Sequence, residues 1–342
     1  MDEIKSPKIK FAIVGYGHIG KRHGAMIINN PECELIAVCD TNPEEKSKSN
    51  IPNVKFYCSL EEMLLSDLKL DVVCIATPNG LHEEQAIRCL RAGMHVVIEK
   101  PMALTKAGCE HIIFESLHQH RQVFCVMQNR YSPPSLWLKE IIREKILGDI
   151  YMVQIDCYWN RDDRYYKPGN WHGTKKLDGG TLFTQFSHFI DIMFWLFGDI
   201  KNIGGKLMNF NHKDSTEFED SGFIHFDFVN GGMGSLNFST SIWNQNLESS
   251  ITIVAEKGTV KVGGQYMNEV QTSVIKDYTM PVLPPVNPPN DYGPYKGSAA
   301  NHHFIFENVV NVLKGRETIT TNALEGLKVV EIIEKIYQSA SR

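Results

Sequence analysis

No run of about 20 uncharged apolar residues, the length a membrane-spanning helix needs, occurs in this chain. The opening stretch Met1-Asp2-Glu3-Ile4-Lys5-Ser6-Pro7 lacks the apolar core of a secretory signal. Both absences point to a cytoplasmic protein with no membrane partner. Basic charge is not in excess: 35 Lys and Arg stand against 40 Asp and Glu, a formal net charge of −5. That balance excludes the electropositive footprint of a nucleic-acid binder. The eight cysteines are scattered and none forms a C-x-x-C pair, which predicts reduced thiols rather than a disulfide frame or a metal centre. Internal repeats and low-complexity tails are also missing. The 15 prolines are few, and six of them crowd into residues 281–297, an extended surface excursion.

What is there begins with an apolar run, Ile9 to Val14, that ends on Gly15-Tyr16-Gly17-His18-Ile19-Gly20. A helical pattern follows from near His18. The G-x-G-x-x-G spacing lets backbone N–H groups face an anion at a helix N-terminus, where the helix dipole favours negative charge. The first glycine permits the turn, the second lets a pyrophosphate approach, and the third lets helix and strand pack closely. The next strand, Glu34 to Asp40, ends in an acid placed to grip ribose hydroxyls. Strand, turn, helix, strand and acid in this order predict a dinucleotide site, with NAD preferred over NADP because Asp40 would repel a 2′-phosphate.

A chain of 342 residues suggests two domains. Up to residue 128, strand and helix alternate: helices over Pro43–Asn50, Leu60–Asp67, Leu81–Ala92 and Thr105–His120, and strands over Val54–Tyr57, Asp71–Thr77, His95–Lys100 and Gln122–Gln128. This pattern predicts a parallel Rossmann sheet covered by helices on both faces. Ligands then lie beyond the carboxyl ends of the strands, where Thr77-Pro78-Asn79 and Glu99-Lys100-Pro101 fall. His82 and Gln128 join these as expected cofactor contacts. Residues 129–342 read differently, with helices over Ser132–Leu147 and Thr181–Phe197, then strands without intervening helices. They predict an α+β domain with a large open mixed or antiparallel sheet, closed by helices over Ser298–Leu313 and Ala323–Tyr337.

The stretch Thr181–Phe197 is apolar on nearly every side, the mark of a buried helix. Thr181, Thr184, Gln185, His188 and Asp191 nevertheless form one polar stripe on it. Buried polar groups need partners, so the stripe must face a polar network or a ligand cavity. Asp191 is near enough in sequence to orient the His188 ring. On the helix alone, His188 reads equally as a satisfied core histidine or as a catalytic one.

The glycine turn, Thr77-Pro78-Asn79, Glu99-Lys100-Pro101 and Gly179-Gly180-Thr181-Leu182…His188…Asp191 together resemble the glucose–fructose oxidoreductase / inositol dehydrogenase family (Gfo/Idh/MocA). The likeness spans nearly the whole chain, including Gly148-Asp149-Ile150 and the closing helix. It implies hydride transfer between a sugar or cyclitol carbon and a nicotinamide. It also implies a homodimer or homotetramer formed through the C-terminal sheet. Lys100 matches the family's catalytic lysine and His188 its acid/base histidine. Many members carry an aspartate where Thr184 stands, and the branch resembling sugar-nucleotide uronate dehydrogenases varies there as well. Proton removal therefore rests on His188, Lys100 or both.

The loop from Tyr158 to Asp178 interleaves cations with aromatics, among them Arg161, Arg164, Tyr165 and Trp171. Such a loop suits the face of a sugar and an anionic group, and the alternative is a solvated loop. With Arg130, Thr184 and His188 these residues make the expected substrate contacts. The reading is a dehydrogenase of a sugar, a uronate or a nucleotide-linked sugar. Its competitors are a redox glycosidase of the same fold and a non-catalytic NAD-binding protein.

Overall fold

A computed structural model describes residues 7–45, 51–293 and 295–340. Contacts gather these residues into two compact units. The first runs to Val126 and takes in His302–Leu327; the second holds Met127–Asn301 and the chain from Lys328 onward.

The first unit is built on strands β1 (Ile9–Val14), β2 (Cys33–Cys39), β3 (Lys55–Tyr57), β4 (Val72–Ile75), β5 (His95–Ile98) and β6 (Val123–Cys125). They form one parallel sheet in the order β3-β2-β1-β4-β5-β6. All four residues of β4 are fully buried, as a central strand covered on both faces requires. The expected helices are present at Leu60–Leu64, His82–Arg91 and Lys106–His118. Beyond Glu45, the expected helix Pro43–Asn50 lies outside the described residues.

A single cut near residue 128 does not capture this unit. The helix His302–Leu313 belongs to it and packs Phe306 edge-on to Phe11, 5.9 Å between ring centroids. Thr321 then bonds the main chain of Cys125, so the returning segment covers the open side of edge strand β6. Sequence order separates these residues, whereas burial brings them together.

The second unit carries β7 (Ile150–Tyr158), β8 (Ile200–Met208), β9 (Ser221–Phe228), β10 (Met233–Ser239), β11 (Glu248–Ala255), β12 (Gly258–Gly263) and β13 (Glu269–Ile275). Their order is β13-β12-β11-β7-β10-β9-β8, and β7 with β10 is its parallel pair. The sheet is mixed, as the hairpin-rich pattern predicts. Strand β13 was not expected, and neither was the small pair β14 (Pro289–Asp291) and β15 (Lys296–Ala299) inside the proline-rich excursion. The helix expected over Thr181–Phe197 is two pieces, Thr181–Thr184 and Ser187–Phe197. No helix among the described residues is long and apolar enough to cross a membrane.

Of the cysteines, Cys58 is exposed and the other seven are buried, none in a disulfide. Burial pushes the Cys33, Cys39 and Cys89 thiols up to about 12, which keeps them unreactive.

Candidate functional site

In the first unit the glycine turn has a reason at each glycine. Gly15 adopts φ +85°, and a Cβ there would lie 2.6 Å from the Ala76 carbonyl oxygen. At Gly20 a Cβ would sit 2.0 Å from the Gly15 oxygen, so only glycine lets α1 (His18–Asn29) approach β1 this closely. Around Gly17 nothing lies within 4 Å of an added Cβ, leaving the α1 N-terminus open to a diphosphate. The Asp40 carboxylate accepts hydrogen bonds from the Tyr16 N–H at 2.6 Å and the Asn42 N–H at 2.8 Å. It locks the turn, and its remaining lone pairs can accept ribose hydroxyls. These residues fit a dinucleotide.

At the ends of β4 and β5, His82 acts as a brace. Its ring nitrogens stand 2.7 Å from the Pro101 carbonyl and 2.9 Å from the Thr77 carbonyl, so one fully buried imidazole ties the two turns together. Burial pushes its pKa down, although both carbonyls oppose that. His82, expected as a cofactor contact, braces the turns from inside. Thr77 donates to Gln85 at 2.6 Å, and Asn79 is buried while Lys100 is half-buried.

Glu99 is buried too, and its surroundings were not foreseen. Its Oε1 is 2.9 Å from His23 Nε2 and 3.7 Å from His302 Nε2, and its Oε2 accepts the Lys100 N–H at 3.2 Å. Burial raises the Glu99 pKa, but the His23 hydrogen bond and the neighbouring charges outweigh it and hold the carboxyl at about 2. Desolvation likewise drives His302 down to about 3. His23 was findable from sequence, because it follows Gly20 by three residues and Ile27 by minus four on the buried face of α1. His302 carried no such signal.

These three residues also form the one group among the described residues whose ligand-type atoms lie within 4.8 Å of one another. Histidines that bind metal usually hold their second nitrogen on an acceptor. Here the Nδ1 atoms of both His23 and His302 are buried without a hydrogen-bond partner. The 2.9 Å contact is accounted for as a hydrogen bond from His23 to the carboxylate.

In the second unit the polar stripe becomes a network. Arg130 grips Asp191 bidentately, Nε to Oδ2 at 2.9 Å and Nη2 to Oδ1 at 2.5 Å, with both side chains buried. Asp191, expected to serve His188, thus has both oxygens engaged by Arg130. Arg130, expected to meet substrate, is committed to that ion pair and lies 5.4 Å over the Trp195 ring. The His188 ring is met through Nε2 by Gln128 Nε2 at 3.1 Å. Gln128 Oε1 is buried with no partner, an acceptor suited to a ligand N–H or O–H. Thr184 donates to the buried Asp178 carboxylate, whose other oxygen accepts the Gly173 N–H at 2.8 Å.

The loop cations are placed differently from the expectation of an anion pocket. Arg161 is 2% exposed and donates to Gln185 Oε1 (2.8 Å), the Asn160 carbonyl (2.6 Å), Asn246 Oδ1 (3.3 Å) and the Lys296 carbonyl (3.2 Å). Its guanidinium sits 4.8 Å from the Trp159 ring, 5.3 Å from Tyr165 and 5.0 Å from Tyr295. Four of its five donors are already engaged inside the fold. Arg164 is closed on Asp162, with 2.7 and 2.8 Å contacts among them. Both arginines shape the loop. Trp171 stacks on His172 at 3.9 Å and stays partly exposed.

Comparison with known proteins agrees with this geometry. Residues 9–127 match the profile described as "Oxidoreductase family, NAD-binding Rossmann fold", and residues 136–261 match "GFO/IDH/MocA C-terminal domain". The chain is 33% identical to the WlbA dehydrogenase of Bordetella pertussis, solved with NADH and UDP-GlcNAcA; the match covers 97% of this chain and 96% of that one, with a TM-score of 0.87. It is 32% identical to the WlbA enzyme of Chromobacterium violaceum, solved with the same two molecules, over 98% and 94% of the chains at a TM-score of 0.87. The scyllo-inositol 2-dehydrogenase (NADP(+)) IolW of Bacillus subtilis is 29% identical, over 70% of this chain and 64% of that protein.

Proposed function

The chain belongs to the Gfo/Idh/MocA oxidoreductase family, and from that premise we propose that it is an NAD-dependent dehydrogenase oxidising a ring hydroxyl of a nucleotide-linked uronate. The observation that carries this reading is the 33% identity, over 97% of the chain, with a dehydrogenase bound to NADH and UDP-GlcNAcA. We assign the first unit, with its returning segment His302–Leu327, to dinucleotide binding, and the second unit to substrate binding and oligomerisation. The carboxylate of Asp40 supports NAD over NADP, because it would repel a 2′-phosphate.

Bound NAD supplies the hydride acceptor. The chain must hold the hydroxyl and take its proton. We assign that proton to His188 and Lys100; a positioned acid–base group contributes about 10²–10⁴-fold in rate. Thr184 donates its one O–H to Asp178, so any further hydrogen bond its hydroxyl makes is one it accepts. Such an acceptor suits a substrate hydroxyl. Trp171 offers a flat face for the sugar.

The outer face of the large sheet supports a homo-oligomer. Phe223 and Met233 are exposed there, and Met233 stands in register with exposed Met152. Lone exposed apolar residues are ordinary, whereas the adjoining pair Met152 and Met233 widens the apolar surface an interface would use.

The test is to incubate the purified chain with NAD⁺ and UDP-N-acetylglucosaminuronic acid and to follow reduced-nicotinamide absorbance. A product lighter by two hydrogens in mass spectrometry is expected. Preference for neutral inositols or free sugars would overturn the substrate assignment. Release of UDP with no net reduced cofactor would favour a redox glycosidase instead.

A further inference from the structure

We propose that Glu99, with His23 and His302 closed around its carboxylate, is a positioning residue that fixes the Lys100 main chain and tunes the proton affinity of the Lys100 amine. The inference rests on the reading of Lys100 as catalytic, and goes beyond it to what controls that lysine.

The geometry begins with the division of labour between the two carboxylate oxygens. Oε2 accepts the Lys100 N–H at 3.2 Å, which ties the carboxylate to the main chain of the lysine. Oε1 is taken by His23 Nε2 at 2.9 Å, with His302 Nε2 at 3.7 Å on another side. The clamps come from distant parts of the chain. His23 stands on α1, whose N-terminus the glycine turn opens, and His302 opens the returning helix His302–Leu313. The ring centroids of His23 and His302 are 5.9 Å apart, and Phe306 covers His23 edge-on at 5.1 Å. Glu99 is 5% exposed and the two histidines 0% and 2%, so water does not screen this charge.

The titratable groups around the carboxylate are His23 from α1, Cys74 from β4, His82 from its helix, His302 from the returning helix, and Lys100, with Arg22 of α1 acting on His302. Burial keeps the Cys74 thiol protonated and His302 neutral near pH 7. The negative charge of the cluster is therefore that of Glu99. A buried anion one residue away favours the protonated form of the Lys100 amine, and removing it must lower that amine's pKa. A structural clamp without charge coupling would not do this.

The experiment reads Lys100 directly, without depending on any substrate. The full-length protein is labelled competitively with acetic anhydride across a pH series, and the Lys100 peptide is quantified by mass spectrometry. In Glu99→Gln the midpoint of Lys100 acetylation should fall, because the carboxylate and the amine are electrostatically coupled. His23→Leu should lower the midpoint in the same direction, because a buried carboxylate stripped of its donor takes up a proton. His23→Gln, which returns an N–H near the same place, should recover the parental midpoint. An unmoved midpoint in Glu99→Gln overturns the inference. If that variant fails to fold, the His23 pair decides: a shift in Leu reversed in Gln supports it, and no shift overturns it. Lys100→Met with parental turnover would overturn the catalytic reading instead, and the labelling result would be unaffected.

Discussion

Replacing Asp191 with alanine leaves the Arg130 guanidinium in place and takes away its counter-ion. The two side chains are 4% and 1% exposed, and two short parallel hydrogen bonds join them. Breaking such a buried pair from one side typically costs about 3–5 kcal/mol, because a desolvated charge is left without a partner. For a folded unit of 150–250 residues, each kcal/mol lowers the melting temperature by about 2–4 °C. The expected fall is therefore about 6–20 °C. Intrinsic tryptophan fluorescence suits the measurement, since all five tryptophans, from Trp137 to Trp243, lie in the second unit. Trp195, with the guanidinium 5.4 Å over its ring, reports the site itself. The double variant Arg130→Leu with Asp191→Leu removes both charges and should recover most of the loss. A single-variant loss below about 1 kcal/mol, or a double variant as unstable as the single, would refute the reasoning.

Acid should destabilise the first unit in two overlapping steps. His302 falls from 6.5 to about 3 on folding, so its contribution is complete above pH 6.5 and is lost as the pH drops towards 3. Glu99 falls from 4.5 to about 2, so its contribution is complete above pH 4.5 and is lost towards pH 2. Urea midpoints measured against pH should decline from 6.5 downward, and His302→Gln should flatten the part between 6.5 and 4.5; an unchanged slope there counts against a buried neutral histidine. Lys100→Met and His188→Ala should each reduce turnover by at least about 10²-fold while NAD affinity and melting temperature stay near parental values. Near-parental turnover in either variant would return that residue to a structural role, checked by steady-state kinetics beside NAD titration. Asp40→Ser should narrow the preference for NAD over NADP, and tighter NADP binding by the parent would contradict the role given to Asp40. Fluorescence titration of both cofactors decides it.

What the sequence carried best was local. The glycine turn, its strand and Asp40 lie within 32 residues, and each demand on them is a short-range one: a positive φ at Gly15, a close approach at Gly20, an acid at the end of β2. Strand patterns were readable for the same reason, since β4 is apolar throughout and β5 is apolar after His95, so both could only be buried. The helix Thr181–Phe197 misled because its apolar residues are continuous, and periodicity alone does not reveal that Gln185 and Phe186 interrupt it to send Gln185 towards Arg161 and Tyr165.

The placements least expected from the sequence share one cause. A charge in a sequence looks available, and only the fold shows whether it is already engaged. Arg161 and Arg164 suggested an anionic ligand and Arg130 a substrate contact, and in the fold their donors meet Gln185 and backbone carbonyls, Asp162, and Asp191 respectively. Glu99 read as part of a cofactor-binding strand end, but its partners sit 76 residues before it and 203 after it. Long-range pairing of this kind leaves no periodic trace. It follows that the chemistry-bearing groups least visible in this sequence, His23 and His302, are those whose substitution should disturb Lys100 without touching any ligand. That asymmetry separates a positioning role from a binding one: substitutions there should move the pH dependence of the lysine and spare affinity for NAD, whereas loss of Asp40 should do the reverse.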